Sequence, residues 1–196
     1  KEYRKLINNI NFFYPDYDIG RFNNFDKLYD IALPVLGIFG TSSSQGKYTL
    51  QLELRKRFLD EGYLVGQLGT EPSSILFEMD EMFHFGFNTN LSLYHYDFIR
   101  LVNGMINKIQ RKSPDIILAG SQSNTVPYAV TNTRFIPSSQ IDFLLGLNPD
   151  YVLLCINPHD EITYIKRTID FIESLVNCTV IALILYPLKY INESLF

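Results

Sequence analysis

Five short runs in this chain are apolar at nearly every position. They are Pro34-Val-Leu-Gly-Ile-Phe39, Tyr63-Leu-Val-Gly-Gln-Leu68, Asp115-Ile-Ile-Leu-Ala119, Tyr151-Val-Leu-Leu-Cys-Ile156 and Val180-Ile-Ala-Leu-Ile-Leu185. Between them lie longer stretches with apolar residues three and four apart. Leu50, Leu52, Leu54, Phe58 and Leu59 make one such face, Phe98, Leu101, Val102, Met105 and Ile109 another, and Ile162, Ile165, Ile169, Ile172 and Leu175 a third. A strand that is apolar on both sides needs cover on both sides, so strands of this kind that alternate with helices form a parallel sheet between two helical layers. The expected fold is a three-layer α/β domain, with strands over 34–39, 63–68, 115–119, 151–156 and 180–185. Helices are expected over 47–61, 96–112, 138–147 and 160–176, with Ser138 and Asp160 as N-caps of the last two. Ligands of such sheets bind beyond the carboxyl ends of the strands.

Residues 31–196 suit one domain of this type. Residues 1–30 are rich in Asn, Asp, Tyr and Phe without a period; they read as an irregular lead-in or the tail of an N-terminal domain. The first residue is Lys1 rather than methionine, which is read as the start of a piece of a longer protein. A net charge of −4 argues against a nucleic-acid partner, which needs a basic face. No apolar run reaches the roughly 20 residues of a membrane helix, and no secretory signal opens the chain. A cytoplasmic setting is expected. Cys155 and Cys178 sit in apolar runs and read as buried free thiols.

The first strand leads into Gly40-Thr-Ser-Ser-Ser-Gln-Gly-Lys-Tyr-Thr49. A glycine loop between a buried strand and a helix, closed by Gly-Lys, is the arrangement of a phosphate-binding loop. Its backbone N–H groups surround phosphates and its lysine reaches the outer ones. The usual spacing is G-x4-G-K-[ST]; here five residues separate Gly40 from Gly46, and Tyr48 follows Lys47. The candidate ligand-binding residues are Gly40, Thr41, Ser42, Ser43, Ser44, Gln45, Gly46, Lys47, Tyr48 and Thr49. A hydroxyl after the lysine normally holds Mg²⁺. Tyr48 lacks a short one, and Thr49 lies about 100° further round the helix.

Gly40-Thr41 with Gly46-Lys47 resembles the loop of the dethiobiotin-synthetase-like branch of P-loop proteins. More closely, the chain from about residue 28 to 185 resembles the P-loop domain of the D-glutamate N-acetyltransferase-like proteins, long known as a family of unknown function. Within that family it looks most like the P-loop proteins labelled peptide maturation system proteins. The family's loop runs G-T-D-x-x-x-G-K-x-T. Gly40, Thr41, Gly46, Lys47 and Thr49 match it, while Ser42 replaces the acid. The resemblance thus implies Thr49 as the hydroxyl for a metal. Gly66-Gln-Leu-Gly69 is a partial match to the family's G-Q-T-G. After the third strand the family has an acid and then G-Q-G-S, where this chain has Ala119-Gly-Ser-Gln-Ser123. The missing acid implies impaired metal handling, and a glutamate at position 119 is expected to strengthen Mg²⁺ dependence. Asp115, about 13 Å back along the strand, is too distant to substitute.

Other polar residues also fall at strand ends. Asn157 is a candidate for contact with a nucleotide base. Glu71 is the acid nearest the end of the second strand and a second candidate metal ligand. Arg134 is a candidate for a phosphate or substrate carboxylate. His84 and His95 are eleven apart, which matches no zinc spacing. The aromatic stretch 82–88 reads as a lid or a dimer surface.

Three functions compete. The first is an ATP-binding P-loop protein with weak or no hydrolysis, an accessory of a peptide maturation system whose partner is a peptide substrate or a maturation enzyme. The second, which the resemblance implies, is an N-acyltransferase-like enzyme whose loop holds coenzyme A. The third is a non-catalytic assembly module. Backbone donors treat the two ligands alike, so the sequence does not separate them.

Overall fold

The computed structural model describes residues 27–85, 93–133 and 136–185. Its strands are β1 (Val35–Gly40), β2 (Val65–Gly69), β3 (Glu81–Met82), β4 (Ile116–Gly120), β5 (Tyr151–Ile156) and β6 (Thr179–Leu185). Its helices are α1 (Lys47–Asp60), α2 (His95–Gln110), α3 (Ser138–Leu147) and α4 (Ile162–Leu175), with a 3-10 helix at Pro72–Phe77. The six strands form one sheet in the order β3-β2-β4-β1-β5-β6, and every pairing is parallel. β1 therefore sits inside the sheet, and its glycine loop opens between the ends of β4 and β5.

The inner strands β1, β4 and β5 are apolar throughout because each feeds two cores, whereas the edge strand β6, also expected to be buried on both faces, leaves Ile181, Leu183 and Leu185 exposed. Val35, Ile117, Ala119, Val152 and Leu154 pack with Phe98, Leu101, Ile106, Phe143, Leu144 and Ile172 of α2, α3 and α4. Leu36, Leu118 and Leu153 face the other way, onto Leu50, Leu54 and Phe58 of α1. This is the expected three-layer arrangement, with α1 as the cover on the second face.

Local details differ from the sequence expectation. β2 begins two residues later than the apolar run. Tyr63 and Leu64 instead turn out of α1, with Tyr63 N–H on the Phe58 carbonyl and the two rings edge to face. β3, only two residues long, has no sequence signature. Ser138 is not a cap: Pro137 takes the N-cap position of α3, with no side-chain cap. Nor is Asp160 the cap of α4, which Glu161 precedes; its carboxylate is turned to the glycine loop. In the aromatic stretch, Phe83 and Phe85 are not a lid or dimer surface. Both are buried, and they pack on Phe98 and Phe143. Residues 86–88 of that stretch lie outside the described residues, as does Arg134.

The Gly66-Gln-Leu-Gly69 segment has a packing reason. A Cβ on Gly66 would lie 2.3 Å from Ile109 Cγ2, and one on Gly69 would lie 2.1 Å from Ser74 Oγ. Only glycine lets α2 and the 3-10 helix come this close. Among the described residues no helix is long and apolar enough to cross a membrane. Cys155 and Cys178 are both free; the first is buried and the second half-buried. Burial pushes each thiol up to about 11.

Candidate functional site

The loop after β1 is folded tightly. Its first peptide is tied to β5 by Thr41 N–H on the Cys155 carbonyl at 3.0 Å. Ser44 and Gly46 both have left-handed φ, 58° and 75°, and Gly46 is the residue that opens α1. The left-handed region is open to glycine without cost and costs serine roughly 1–2 kcal/mol. The first N–H groups of α1, which follows directly on the loop, have no partners within the helix. Such groups and the helix dipole together form an anion site.

Lys47 is 4% exposed. Its Nζ donates to the Ser42 carbonyl at 2.6 Å, so it folds back across the loop. Burial lowers its pKa from 10.5 to about 8, with Cys155 and Glu71 acting in the opposite sense. Gln45 lies inside the loop: its Oε1 accepts the Ser42 N–H at 2.9 Å, and its Nε2 donates to Thr41 Oγ1 at 2.6 Å. The Thr41 hydroxyl in turn donates to Asp160. Asp160 Oδ2 also accepts the Asn157 N–H, and Asn157 Nδ2 donates to Ser42 Oγ at 2.9 Å. Asn157 thus braces the loop, and a contact with a base would require that bond to break. On the β4 side, the Thr125 N–H and hydroxyl both donate to the Gly40 carbonyl.

A cavity of about 380 Å³ opens against this loop. The loop supplies Ser43, Ser44, Gln45, Gly46, Lys47 and Tyr48; Thr70 and Glu71 come from the end of β2. Gly120, Ser121, Gln122 and Ser123 come from the end of β4, and Ser139 and Gln140 from the start of α3. Gln122 N–H donates to Gln140 Oε1 at 3.2 Å, which joins the β4 end to α3. Gln51, one turn beyond Lys47 on the same helix face, completes the wall. Its Nε2 donates to the Leu68 carbonyl at 2.8 Å.

The structure therefore brings Lys47, Tyr48 and Glu71 to one cavity. Thr49 is exposed and is not in the cavity wall. Tyr48 turns toward the β2 end, where its hydroxyl accepts from Ser73 Oγ at 3.2 Å and its ring meets Phe77 edge-on. His95 is not in the cavity wall and pairs with Asp142 at 2.6 Å. Asp115 is remote, with its carboxylate on the Leu64 N–H at the opposite end of β4. Ala119 requires a correction. Its side chain is fully buried in the core with α2 and α3. Strand alternation instead aims the next position, Gly120, at α1 and the cavity. Sequence reasoning missed Gln51, whose i+4 spacing from Lys47 was a usable signal. It also missed Ser139 and Gln140, which only the tertiary structure brings to the loop.

The family model described as "Domain of unknown function (DUF1611_C) P-loop domain" matches residues 27–190. The chain belongs to this family. A crystal structure of a DUF1611 family protein from Anabaena variabilis ATCC 29413 matches 77% of this chain, at TM-score 0.58 and 17% identity. This chain spans 45% of that protein's length. The signal recognition particle 54 kDa protein from Aeropyrum pernix K1, solved with GDP, gives TM-score 0.48 and 10% identity over 83% of this chain and 44% of that one. A GTPase in apo form from Pyrococcus abyssi gives 0.44 and 21% over 76% and 66%. At these identities the likeness is one of fold. No curated protein matches the chain.

The DUF1611 domain has the donors for a phosphate group but not the usual set for a metal. Glu71 is the one carboxylate of the cavity wall among the described residues, and Tyr48 stands where a short hydroxyl would be. Among the described residues no three His, Cys, Asp or Glu cluster closely enough to hold a metal ion. The set lacks the short hydroxyl and strand-end acid that hold Mg²⁺ beside a phosphate loop, and so does not fit a resident Mg²⁺.

The depressed lysine has a consequence for stability. Between its folded value of about 8 and its ordinary 10.5, the unfolded chain binds more protons than the folded one, so stability rises with pH. The two raised thiols, whose ordinary value is 9.0, work in the opposite direction, from about pH 8 upward. From pH 8 to 9 the Lys47 contribution is a gain of order 1 kcal/mol, and the two thiols offset much of it in the parent. Urea unfolding at the two pH values should show it as a gain of the parent relative to Lys47→Met, which keeps the thiols and lacks the lysine. An equal gain in both proteins would assign it to another group.

Proposed function

We propose that the DUF1611 domain binds the phosphates of a nucleotide, ATP in the first instance, and turns it over slowly or not at all. The observation that supports this most is the convergence of the α1 N-terminus, the Gly40–Lys47 loop and a buried Lys47 on one side of the cavity. Those groups supply affinity for phosphate. Rate would require a held metal and an aligned water, and neither Tyr48 nor Gly120 offers a ligand. A role as accessory to peptide maturation rests on the sequence resemblance. The part of the cavity lined by Ser121, Gln122, Ser139 and Gln140 offers hydroxyl and amide groups to a second, uncharged polar group. Coenzyme A is the second reading, because its pyrophosphate suits the same backbone donors.

The experiment is a thermal-shift screen with ATP, GTP and acetyl-coenzyme A, each with and without Mg²⁺, paired with steady-state phosphate release. A ligand at 100 Kd adds about 2.7 kcal/mol, or roughly 5–10 °C for a chain of this size. ATP is expected to give that shift with little dependence on Mg²⁺, and phosphate release is expected well below about 1 s⁻¹. No shift with any ligand would overturn the reading. A shift with acetyl-coenzyme A alone would move it to the second.

A further inference from the structure

We infer that the Gln45 side chain is an internal occupant of the phosphate loop, and that it makes the loop select pyrophosphate-bearing ligands over single phosphates. The inference rests on the phosphate-binding reading above. Ser42 N–H is a backbone donor at the centre of the loop, of the kind a bound phosphate takes, and Gln45 Oε1 already accepts from it at 2.9 Å. The orientation of the amide is unambiguous, because a backbone N–H can only donate. Nε2, at the other end of the amide, donates to Thr41 Oγ1 at 2.6 Å. Gln45 is 3% exposed, so this is an inward conformation. The left-handed Ser44 just before it (φ 58°) turns the chain back to allow it. The fifth residue between Gly40 and Gly46 supplies the slack.

Lys47 is part of the same closed state. A Cβ placed on Gly40 would lie 2.5 Å from Gln45 Oε1 and 3.1 Å from Lys47 Nζ, so both side chains lie against that glycine. With Lys47 Nζ on the Ser42 carbonyl, the side chain and backbone of the loop satisfy each other. A phosphate must displace this arrangement. A charge-assisted hydrogen bond is roughly twice as strong as a neutral one, but a phosphate that takes the Ser42 N–H must also displace Gln45 Nε2 from Thr41 Oγ1 and the charge-assisted bond of Lys47 to the Ser42 carbonyl. A single phosphate gains little beyond the bonds it replaces. A pyrophosphate brings a second group of charged oxygens for the N–H groups of the α1 N-terminus, and so repays the opening of the loop.

The test is calorimetric titration of the parent, Gln45→Ala and Gln45→Asn with inorganic phosphate, pyrophosphate, ATP and acetyl-coenzyme A. Asparagine is one methylene too short to span Ser42 and Thr41, so it opens the loop while staying polar. Both variants are expected to bind pyrophosphate about tenfold tighter than the parent, 1.4 kcal/mol. They are also expected to gain measurable binding of inorganic phosphate and to melt lower without ligand. If the alanine variant does not fold, the asparagine variant carries the test. A lower melting temperature with unchanged or weaker pyrophosphate binding would overturn the inference and leave the phosphate-binding reading standing. Failure of the parent and both variants to bind any of the four ligands would overturn both. The ATP and acetyl-coenzyme A arms tell which source of pyrophosphate the loop takes. In the parent, the ¹⁵N resonances of the Gln45 side-chain amide and of the Ser42 N–H should both move on saturation with pyrophosphate. Unmoved resonances in a protein that binds pyrophosphate would equally overturn the inference.

Discussion

Lys47→Ala is expected to weaken pyrophosphate and ATP binding by roughly 10- to 150-fold, the worth of a hydrogen bond to a charged group at about 1.5–3 kcal/mol. Among the described residues Lys47 is the one cation in the cavity wall, and it is already desolvated. A ligand that replaces the Ser42 carbonyl with phosphate oxygens therefore gains attraction without a large new cost in lost water. The loss should come with little loss of stability, because an ammonium held at about 8 is disfavoured by the fold that surrounds it. Isothermal titration and a melting curve on the same samples separate the two effects. Binding equal to the parent's by a folded variant would reduce the loop to a strand-to-helix turn. Alkaline pH should mimic the substitution in part, with affinity falling as the free protein is taken above pH 8.

The second large effect separates two adjacent positions. The sequence places the missing acid at Ala119, but a glutamate there would point into the α2–α3 core. A buried and unpaired carboxylate is expected to cost about 3–5 kcal/mol, so Ala119→Glu should melt far below the parent or fail to fold. Gly120→Asp puts the carboxylate on the cavity side instead. Its Cβ would lie 2.9 Å from Gln51 Oε1, the end of a flexible side chain that can move. Gly120 is also not among the described glycines with left-handed φ. This variant should stay folded and acquire a Mg²⁺-dependent thermal shift with ATP. The comparison is decided by circular-dichroism melts of both variants and by the thermal shift with and without Mg²⁺. A well-folded Ala119→Glu protein, or a Gly120→Asp protein indifferent to Mg²⁺, would show the cavity side of β4 to be misassigned.

The sequence alone determined the layered parallel sheet. Runs such as Tyr151–Ile156 are apolar on both faces and can be buried only between two layers of cover. The same reasoning found the glycine loop, because Gly40, Gly46 and Lys47 encode local geometry between a strand and a helix. These features act over a few residues, where chain connectivity already fixes who meets whom. The tertiary structure decided everything that depends on which face a strand end presents or which distant segment packs beside it. Ala119 and Gly120 are neighbours in sequence, yet one enters the core and the other the cavity, and register sets which does which. Asp160 reads as a helix cap but binds Thr41, 119 residues away. Phe83 and Phe85 read as a surface stretch until α2 and α3 close over them. Gln45 was legible as a loop residue. Its role inside the loop was not, because whether a glutamine amide turns outward to water or inward to Ser42 depends on a hydrogen bond that only the folded loop presents.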